Sequence, residues 1–132
     1  MKKKILLDSY ALLAYLKKEG KFLKVKDILS SSDKVILMNE LNVGETYYII
    51  ARQGGYEQAD YFLEVVLPGL PIKTIHNSFE QVIEASRLKA KYSISFIDCF
   101  VITTALAEKA TILTGDPEFK KAGKIVEIEW MN

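Results

Sequence analysis

Five short apolar segments alternate with helical segments along the chain, and this alternation constrains the fold more than any other feature. The apolar segments cover residues 4–7, 35–38, 72–75, 111–114 and 125–128. Helical patterns occupy residues 9–18, 22–31, 39–53, 56–67, 78–91, 95–109 and, briefly, 117–122. Short buried strands separated by helices predict right-handed βαβ units and a parallel sheet with helices on both faces. We therefore predict an α/β fold, with residues 1–132 forming a single domain.

Composition excludes several other classes of protein. The 18 Lys and Arg residues nearly balance the 17 Asp and Glu residues, giving a net charge of +1, unlike a simple nucleic-acid coat protein. Cys99 is the single cysteine, which excludes a disulfide framework and a cysteine-based zinc site. No apolar run approaches the roughly 20 residues of a membrane span, and Asp8 interrupts the apolar stretch that follows the basic start. We expect a cytoplasmic protein without a membrane association.

The basic residues are concentrated at the start of the chain. Residues 1–34 contain nine lysines and four acids, with Lys17, Lys18, Lys21, Lys24 and Lys26 close together. This segment is either a solvated helical face or a patch that faces phosphate groups. Charge counts alone do not separate the two interpretations.

Acidic residues recur where the predicted strands end. Asp8 follows the first strand directly, and Asp116 comes two residues after the fourth. The helix after the second strand begins at the same edge and contains Glu40 and Glu45, and the helix before the fourth strand begins there with Asp98. Because functional residues of such folds gather at the carboxyl ends of the strands, we expect Asp8, Glu45, Asp98 and Asp116 to converge.

Three of these acids also have structural explanations as helix caps. Asp8 is suited to cap the first helix, and Asp116 before Pro117 is typical of a cap followed by proline. Asp98 lies three residues after Ser95, the spacing of a capping box. Taken singly, each acid fits capping as well as chemistry.

Glu45 has no such explanation. Its helical neighbours one turn away are Leu41, Tyr48 and Ile49, so it projects from a largely apolar stripe. Glu40 has the ordinary environment of an acid at a helix start. We therefore favour Glu45 over Glu40 as the site residue.

Carboxylates crowded at a buried edge repel one another unless a cation is present. A cluster that lacks His and Cys suits Mg²⁺ or Mn²⁺, which prefer oxygen ligands, and does not suit zinc. Such a centre matches phosphodiester hydrolysis, in which a metal ion polarises the phosphoryl oxygen and activates a water.

Four segments carry a resemblance to a known family. They are residues 6–9 (LLDS), 41–48 (LNVGETYY), 95–98 (SFID) and 113–119 (LTGDPEF). In these segments the chain resembles the PIN domain, and within it the VapC-type toxin ribonucleases, over essentially its whole length. Tyr10 departs from the family, which often has a small polar residue there, and Cys99 and Thr103 replace residues that are often alanine.

The resemblance implies a three-layer α/β/α sandwich with a five-stranded parallel sheet of order 3-2-1-4-5. It implies an endoribonuclease dependent on Mg²⁺ or Mn²⁺, a homodimer, and a cognate antitoxin protein that blocks the acidic site. The implied catalytic residues are Asp8, Glu45, Asp98 and Asp116. Asp8, Asp98 and Asp116 are the implied metal ligands, Glu45 being a further ligand or a group that orients water. Ser9 and Thr114 are implied to be supporting hydroxyls.

Lys17, Lys120 and Lys121 are candidates for contacts to RNA phosphates, although solvated helical faces explain them equally well. Cys99 is predicted to be a small buried side chain, and His76 a loop residue far from the acids. The alternative function is a PIN-like RNA- or protein-binding module without nuclease activity. A phosphatase of the haloacid dehalogenase type is disfavoured because it needs a second Asp at position 10, where this chain has Tyr10.

Overall fold

A five-stranded parallel sheet forms the centre of the computed structural model, which describes residues 2–132. Its strands are β1 (Lys3–Leu7), β2 (Lys34–Asn39), β3 (Ile72–Ile75), β4 (Thr111–Thr114) and β5 (Ile128–Trp130). All pairings are parallel and the order is β3-β2-β1-β4-β5. The predicted fold class and strand order are confirmed.

Within residues 2–132, six α-helices lie around the sheet. They are α1 (Ser9–Lys17), α2 (Phe22–Leu29), α3 (Glu40–Gly54), α4 (Tyr56–Tyr61), α5 (Phe79–Lys91) and α6 (Phe96–Glu108). Alternate residues of β1 point to opposite faces, as strand geometry requires. Leu6 packs in the core beneath α5 and α6, whereas Ile5 and Leu7 pack in the core beneath α1 and α2. The result is the three-layer arrangement.

The fifth strand begins three residues later than the sequence pattern predicts. We expected residues 125–128, but β5 is Ile128–Trp130. The backbone N–H groups of Ile125 and Val126 donate to the carbonyl of Ala122, which closes the preceding turn. Val126 is buried in the core and Ile125 packs against it, so their hydrophobicity reflects burial and not strand pairing.

The helix predicted over residues 56–67 is also divided in the structure. Regular α-helix ends at Tyr61, a π-helical segment covers Phe62–Val66, and a 3₁₀ turn covers Leu67–Gly69. Pro68 has no N–H with which to continue an α-helical ladder. Phe62, in this segment, is buried against Leu12, Met38 and Val43, which fixes the α3–α4 pair on α1 and β2.

Across residues 2–132, no single helix is both long and apolar enough to cross a membrane, although α5 and α6, bent by 120° at their junction, together meet the length and composition criteria.

Candidate active site

Three carboxylates meet at the carboxyl edge of the sheet. Asp98 lies in the first turn of α6, Asp116 follows β4, and Glu118 lies in a 3₁₀ turn, Pro117–Ala122. One carboxylate oxygen from each of the three lies within 4.8 Å of the others. The three residues therefore offer a compact set of oxygen ligands.

Asp8 completes the buried side of this group. It follows β1, is only 2% exposed, and its Oδ1 accepts a hydrogen bond of 2.9 Å from the N–H of Ala11 at the start of α1. The pKa of Asp8 is raised from 3.8 to about 7, mainly by burial and also by the charges of Asp98 and Asp116, while the hydrogen bonds from Thr114 and Ala11 oppose the increase. Asp8 is thus both a helix cap and a carboxyl group that resists ionisation in the absence of a cation.

Asp98 has a similar electrostatic environment. Its exposed fraction is 9%. The pKa of Asp98 is raised to about 7, mainly by burial and also by the charges of Asp116, Glu118 and Glu45, whereas a hydrogen bond with Ser95 opposes the increase. Because their charges act on Asp8 or Asp98, we name five carboxylates together the acidic centre: Asp8, Glu45, Asp98, Asp116 and Glu118.

Thr114 connects two members of the acidic centre. Its hydroxyl donates to Oδ2 of Asp8 and accepts a hydrogen bond of 3.0 Å from the N–H of Asp116. Thr114 is fully buried at the end of β4. A single hydroxyl therefore fixes the side chain of one acid and the backbone of another.

The structure distinguishes Glu45 from Glu40. Glu45, in the second turn of α3, accepts hydrogen bonds from the hydroxyl of Ser9 and from Nδ2 of Asn42, the latter at 3.5 Å. Ser9 is the neighbour of Asp8 in the chain, so this contact links α3 to the acidic centre.

Glu40 is held away from that centre. Its Oε1 lies 3.1 Å from Nδ1 of His76, and its Oε2 accepts a hydrogen bond of 2.5 Å from the N–H of Asn77. Both partners follow β3, the edge strand on the far side of β2. Glu40 therefore stabilises the β3–α5 loop, and His76 lies in that loop as expected.

Glu118 is an acid that the sequence pattern did not single out. Besides facing Asp98 and Asp116, it accepts a hydrogen bond of 2.6 Å from the N–H of Ser95. The Ser95 hydroxyl accepts from the N–H of Asp98, so one half of the expected capping box is present and Glu118 supplies the other half from a separate element. The available signal was an acid directly after Pro117, in the first turn of a helix that Asp116 caps.

The candidate RNA-contacting lysines have different surroundings. Lys17 is exposed in the last turn of α1 and Lys120 is exposed on the 3₁₀ turn after Asp116. Lys121 donates a hydrogen bond of 2.7 Å to the carbonyl of Ser93 in the α5–α6 connection. Lys121 thus has a structural hydrogen bond. Among the described residues, no side-chain hydrogen bond is seen for Lys17 or Lys120.

The chemistry of the acidic centre fits a hard divalent cation. Its close members all present carboxylate oxygen, and Mg²⁺ and Mn²⁺ prefer oxygen ligands. Cys99, although adjacent to Asp98, is fully buried, with Sγ 3.9 Å from the carbonyl oxygen of Ile94. The acidic centre is therefore suited to a metal ion of the Mg²⁺ type and not to a thiolate-bound ion.

Comparison with known families decides the classification. Residues 5–125 match the model of the PIN domain. The chain belongs to the PIN domain family. Among curated protein sequences, no match is found.

Solved structures share the fold of this PIN domain at low sequence identity. A chain of VapBC2 from Rickettsia felis, solved with a fragment of promoter DNA, has 19% identity and a TM-score of 0.74, with 96% of this chain and 98% of that chain covered. VapC20 from Mycobacterium tuberculosis, a toxin that cleaves the sarcin–ricin loop, has 17% identity and a TM-score of 0.74, with 90% and 95% covered. A chain of a toxin–antitoxin complex from Klebsiella pneumoniae has 12% identity and a TM-score of 0.72, with 97% and 98% covered. These similarities concern the fold of the PIN domain over nearly its full length.

Proposed function

We propose that this protein is a metal-dependent endoribonuclease and the toxin component of a VapBC-type toxin–antitoxin system. The observation that carries the proposal is the acidic centre, in which Asp98, Asp116 and Glu118 bring ligand atoms within 4.8 Å of one another. VapC-type PIN domains are metal-dependent nucleases, and VapC20, which shares this fold, cleaves RNA of the sarcin–ricin loop. Residues 1–132 act as one domain in this proposal.

The proposed cofactor is Mg²⁺ or Mn²⁺, with Asp98, Asp116 and Glu118 as its closest ligands. Asp8 contributes negative charge from the buried side and binds the ion directly or through water. A cation bound there polarises the phosphoryl oxygen and lowers the pKa of a coordinated water. The expected ligand set of Asp8, Asp98 and Asp116 is thus extended by Glu118.

The other residues of the site position these groups. Thr114 holds one oxygen of Asp8, and Ser9 holds one oxygen of Glu45, which leaves the second Glu45 oxygen to orient the attacking water or to accept its proton. Lys17 and Lys120 are exposed, and in this proposal they bind RNA phosphates.

The proposal includes two protein partners. VapBC2 from Rickettsia felis and the complex from Klebsiella pneumoniae are toxin–antitoxin assemblies with this fold, which supports a cognate antitoxin for this chain. We also propose a homodimer, and place its action in the cytoplasm, the compartment that contains its RNA substrate.

The decisive experiment measures cleavage of single-stranded RNA in the presence of Mn²⁺. Asp98→Asn is expected to lower the rate at least about 100-fold, because it removes a ligand and a charge that stabilise the reacting phosphate. Asp27→Asn, an exposed acid on α2, is the matched control and retains the wild-type rate. Equal rates for wild type and Asp98→Asn would contradict the proposal, and RNA binding without cleavage would favour the binding-module alternative.

A further inference from the structure

One face of α1 leads away from the acidic centre and combines an aromatic ring with basic groups. Asp8 caps this helix at the carboxyl edge, and Tyr10, Leu13 and Lys17 follow at intervals that place them on one face. Tyr10 is 46% exposed. The backbone rises about 10 Å along the helix axis from Tyr10 to Lys17.

The ring of Tyr10 lies against the backbone of Gly115. A Cβ atom added at Gly115 would lie 2.4 Å from Cε1 of Tyr10, so only glycine allows this contact without a shift. Gly115 joins Thr114 to Asp116 in the chain. The ring is therefore one residue away from a carboxylate of the acidic centre, and nearly half of its surface still faces solvent.

A cavity of about 250 Å³ opens beside the ring, and we name it the Tyr10 pocket. Tyr10, Leu13 and Met131 give it an aromatic and aliphatic wall, and Lys17 and Lys21 also line it. Glu19 is the acidic side chain among its lining residues. The pocket thus offers a surface for a planar ring next to positive charge.

We propose that the Tyr10 pocket binds the nucleotide that flanks the scissile phosphate of the RNA, with its base stacked on Tyr10 and adjacent phosphates at Lys17 and Lys21. The inference rests on the ribonuclease function proposed above. Proteins bind single-stranded nucleic acid by this combination of aromatic platforms and basic groups.

The position of the Tyr10 pocket next to the acidic centre favours RNA over an acidic peptide as its ligand. A ligand of this pocket extends past Gly115 to the acidic centre, where its next group meets Asp98, Asp116 and Glu118. A phosphodiester chain satisfies both places, since one phosphate shares a divalent cation with the carboxylates and the next phosphates reach the lysines. An acidic side chain suits the lysines but leaves the aromatic wall without a partner.

The test measures binding in the Asp98→Asn background, so that the result does not depend on cleavage. A fluorescent single-stranded RNA octamer is titrated in Mg²⁺ and its anisotropy recorded. Tyr10→Ala is expected to weaken binding about 10-fold, the effect of losing one stacked base. Tyr10→Phe keeps the ring and stays within about two-fold of its parent. Tyr56→Ala, which removes a tyrosine that is 75% exposed on α4, leaves binding unchanged.

The lysines are tested by the dependence of binding on salt. Lys17→Ala and Lys21→Ala are each expected to reduce the slope of log K against log salt by about 0.7, the value for one phosphate contact on a single strand. Lys73→Ala, an exposed residue of the edge strand β3, leaves the slope unchanged.

The possible results separate this inference from the proposed function. Unchanged RNA affinity in Tyr10→Ala, or an equal loss in Tyr56→Ala, overturns the pocket while leaving the nuclease intact. If Tyr10→Ala weakens the binding of an acidic peptide but leaves RNA binding unchanged, the Tyr10 pocket belongs to a protein partner. This result also overturns the inference. In the wild-type background, Tyr10→Ala should raise KM about 10-fold with kcat nearly constant, whereas failure of the proposed function appears as absence of cleavage by the wild type itself.

Discussion

Asp8 shows how one side chain can serve structure and chemistry together. It caps α1 through the N–H of Ala11 and accepts a second hydrogen bond from Thr114, yet burial raises its pKa to about 7. The two hydrogen bonds fix its orientation and do not provide a compensating charge. In the proposed function a bound metal ion would provide that charge, and the two hydrogen bonds orient the Asp8 side chain before the ion binds.

The raised pKa values predict a pH-dependent stability of the metal-free protein. Between about pH 4 and pH 7 the folded chain keeps protons on Asp8 and Asp98 that the unfolded chain releases, so the free energy of unfolding falls as pH rises through this range. Because a pKa difference of one between the folded and unfolded chain corresponds to about 1.4 kcal/mol, the loss amounts to a few kcal/mol. Urea unfolding in EDTA at pH 5 and pH 8 measures it.

Neutral side chains provide the control for this prediction. Asp8→Asn combined with Asp98→Asn should remove most of the difference between the two pH values, because neither replacement titrates. A free energy of unfolding that rises from pH 5 to pH 8 in the metal-free wild type would contradict the raised pKa values.

Thr114 offers a second test at the residue scale. Thr114→Val removes the hydroxyl that contacts Asp8 and the N–H of Asp116, and we expect it to weaken Mn²⁺ binding about 10- to 100-fold. Thr103→Val is a matched control, since the buried hydroxyl of Thr103 has no hydrogen-bond partner among the described residues. Calorimetric titration with Mn²⁺ compares the two, and equal affinities would show that Thr114 does not position Asp8.

At the level of elements, Glu118 connects the turn after β4 to the first turn of α6. Its carboxylate both accepts from the N–H of Ser95 and faces Asp98 and Asp116. Glu118→Gln should keep the hydrogen bond and stability but weaken Mn²⁺ binding about 10-fold or more. Glu118→Ala should lower both the stability and the Mn²⁺ affinity. The loss of stability should be about 1 kcal/mol, which is typical of a lost helix cap.

Thermal unfolding and Mn²⁺ titration of the two Glu118 variants separate these effects. Equal Mn²⁺ affinity in wild type and Glu118→Gln would restrict Glu118 to its capping role. A Glu118→Gln variant with lower stability and unchanged metal binding would likewise contradict the expectation that Gln keeps the hydrogen bond to Ser95 and loses only metal affinity.

The sequence predicts elements well where local and tertiary signals agree. Hydrophobic runs locate β1 to β4 within one residue. The apolar neighbours of Glu45 single out an acid whose side chain contacts Ser9, the residue next to Asp8. Ile125 and Val126 mislead because a buried turn and a strand require the same apolar residues, and only the hydrogen bonds to Ala122 distinguish them. Glu118 was missed because its partner Ser95 lies 23 positions away, beyond any local pattern.

For the whole molecule, the strand order β3-β2-β1-β4-β5 explains why the carboxylates of the acidic centre meet at one edge of the sheet. β1 is central, so its end lies between those of β2 and β4, and α6 begins at the same edge. Parallel pairing fixes the register, with Leu7 opposite Met38 on one side and Leu113 on the other. Strand order could be anticipated only through the resemblance to a family, since hydrophobic patterns contain no information on which strands are neighbours.

Metal binding should therefore stabilise the whole domain. A ligand that binds only the folded state adds about 2.7 kcal/mol at a concentration of 100 times its Kd. We expect Mn²⁺ to raise the Tm of the wild type in a concentration-dependent manner, and to raise that of Asp116→Asn much less. Thermal unfolding in Mn²⁺ and in EDTA measures the difference, and the same shift in both proteins would place the ion elsewhere.

The long separation of the acids along the chain also has a consequence for synthesis. Asp8 is made 108 positions before Asp116, and until β4 follows, one side of the central strand has no neighbour. A chain still being translated therefore has no complete acidic centre. In the proposed function, Asp116 and Glu118 join Asp8 only when β4 pairs with β1, so the metal site would form late in synthesis, after most of the chain has been made.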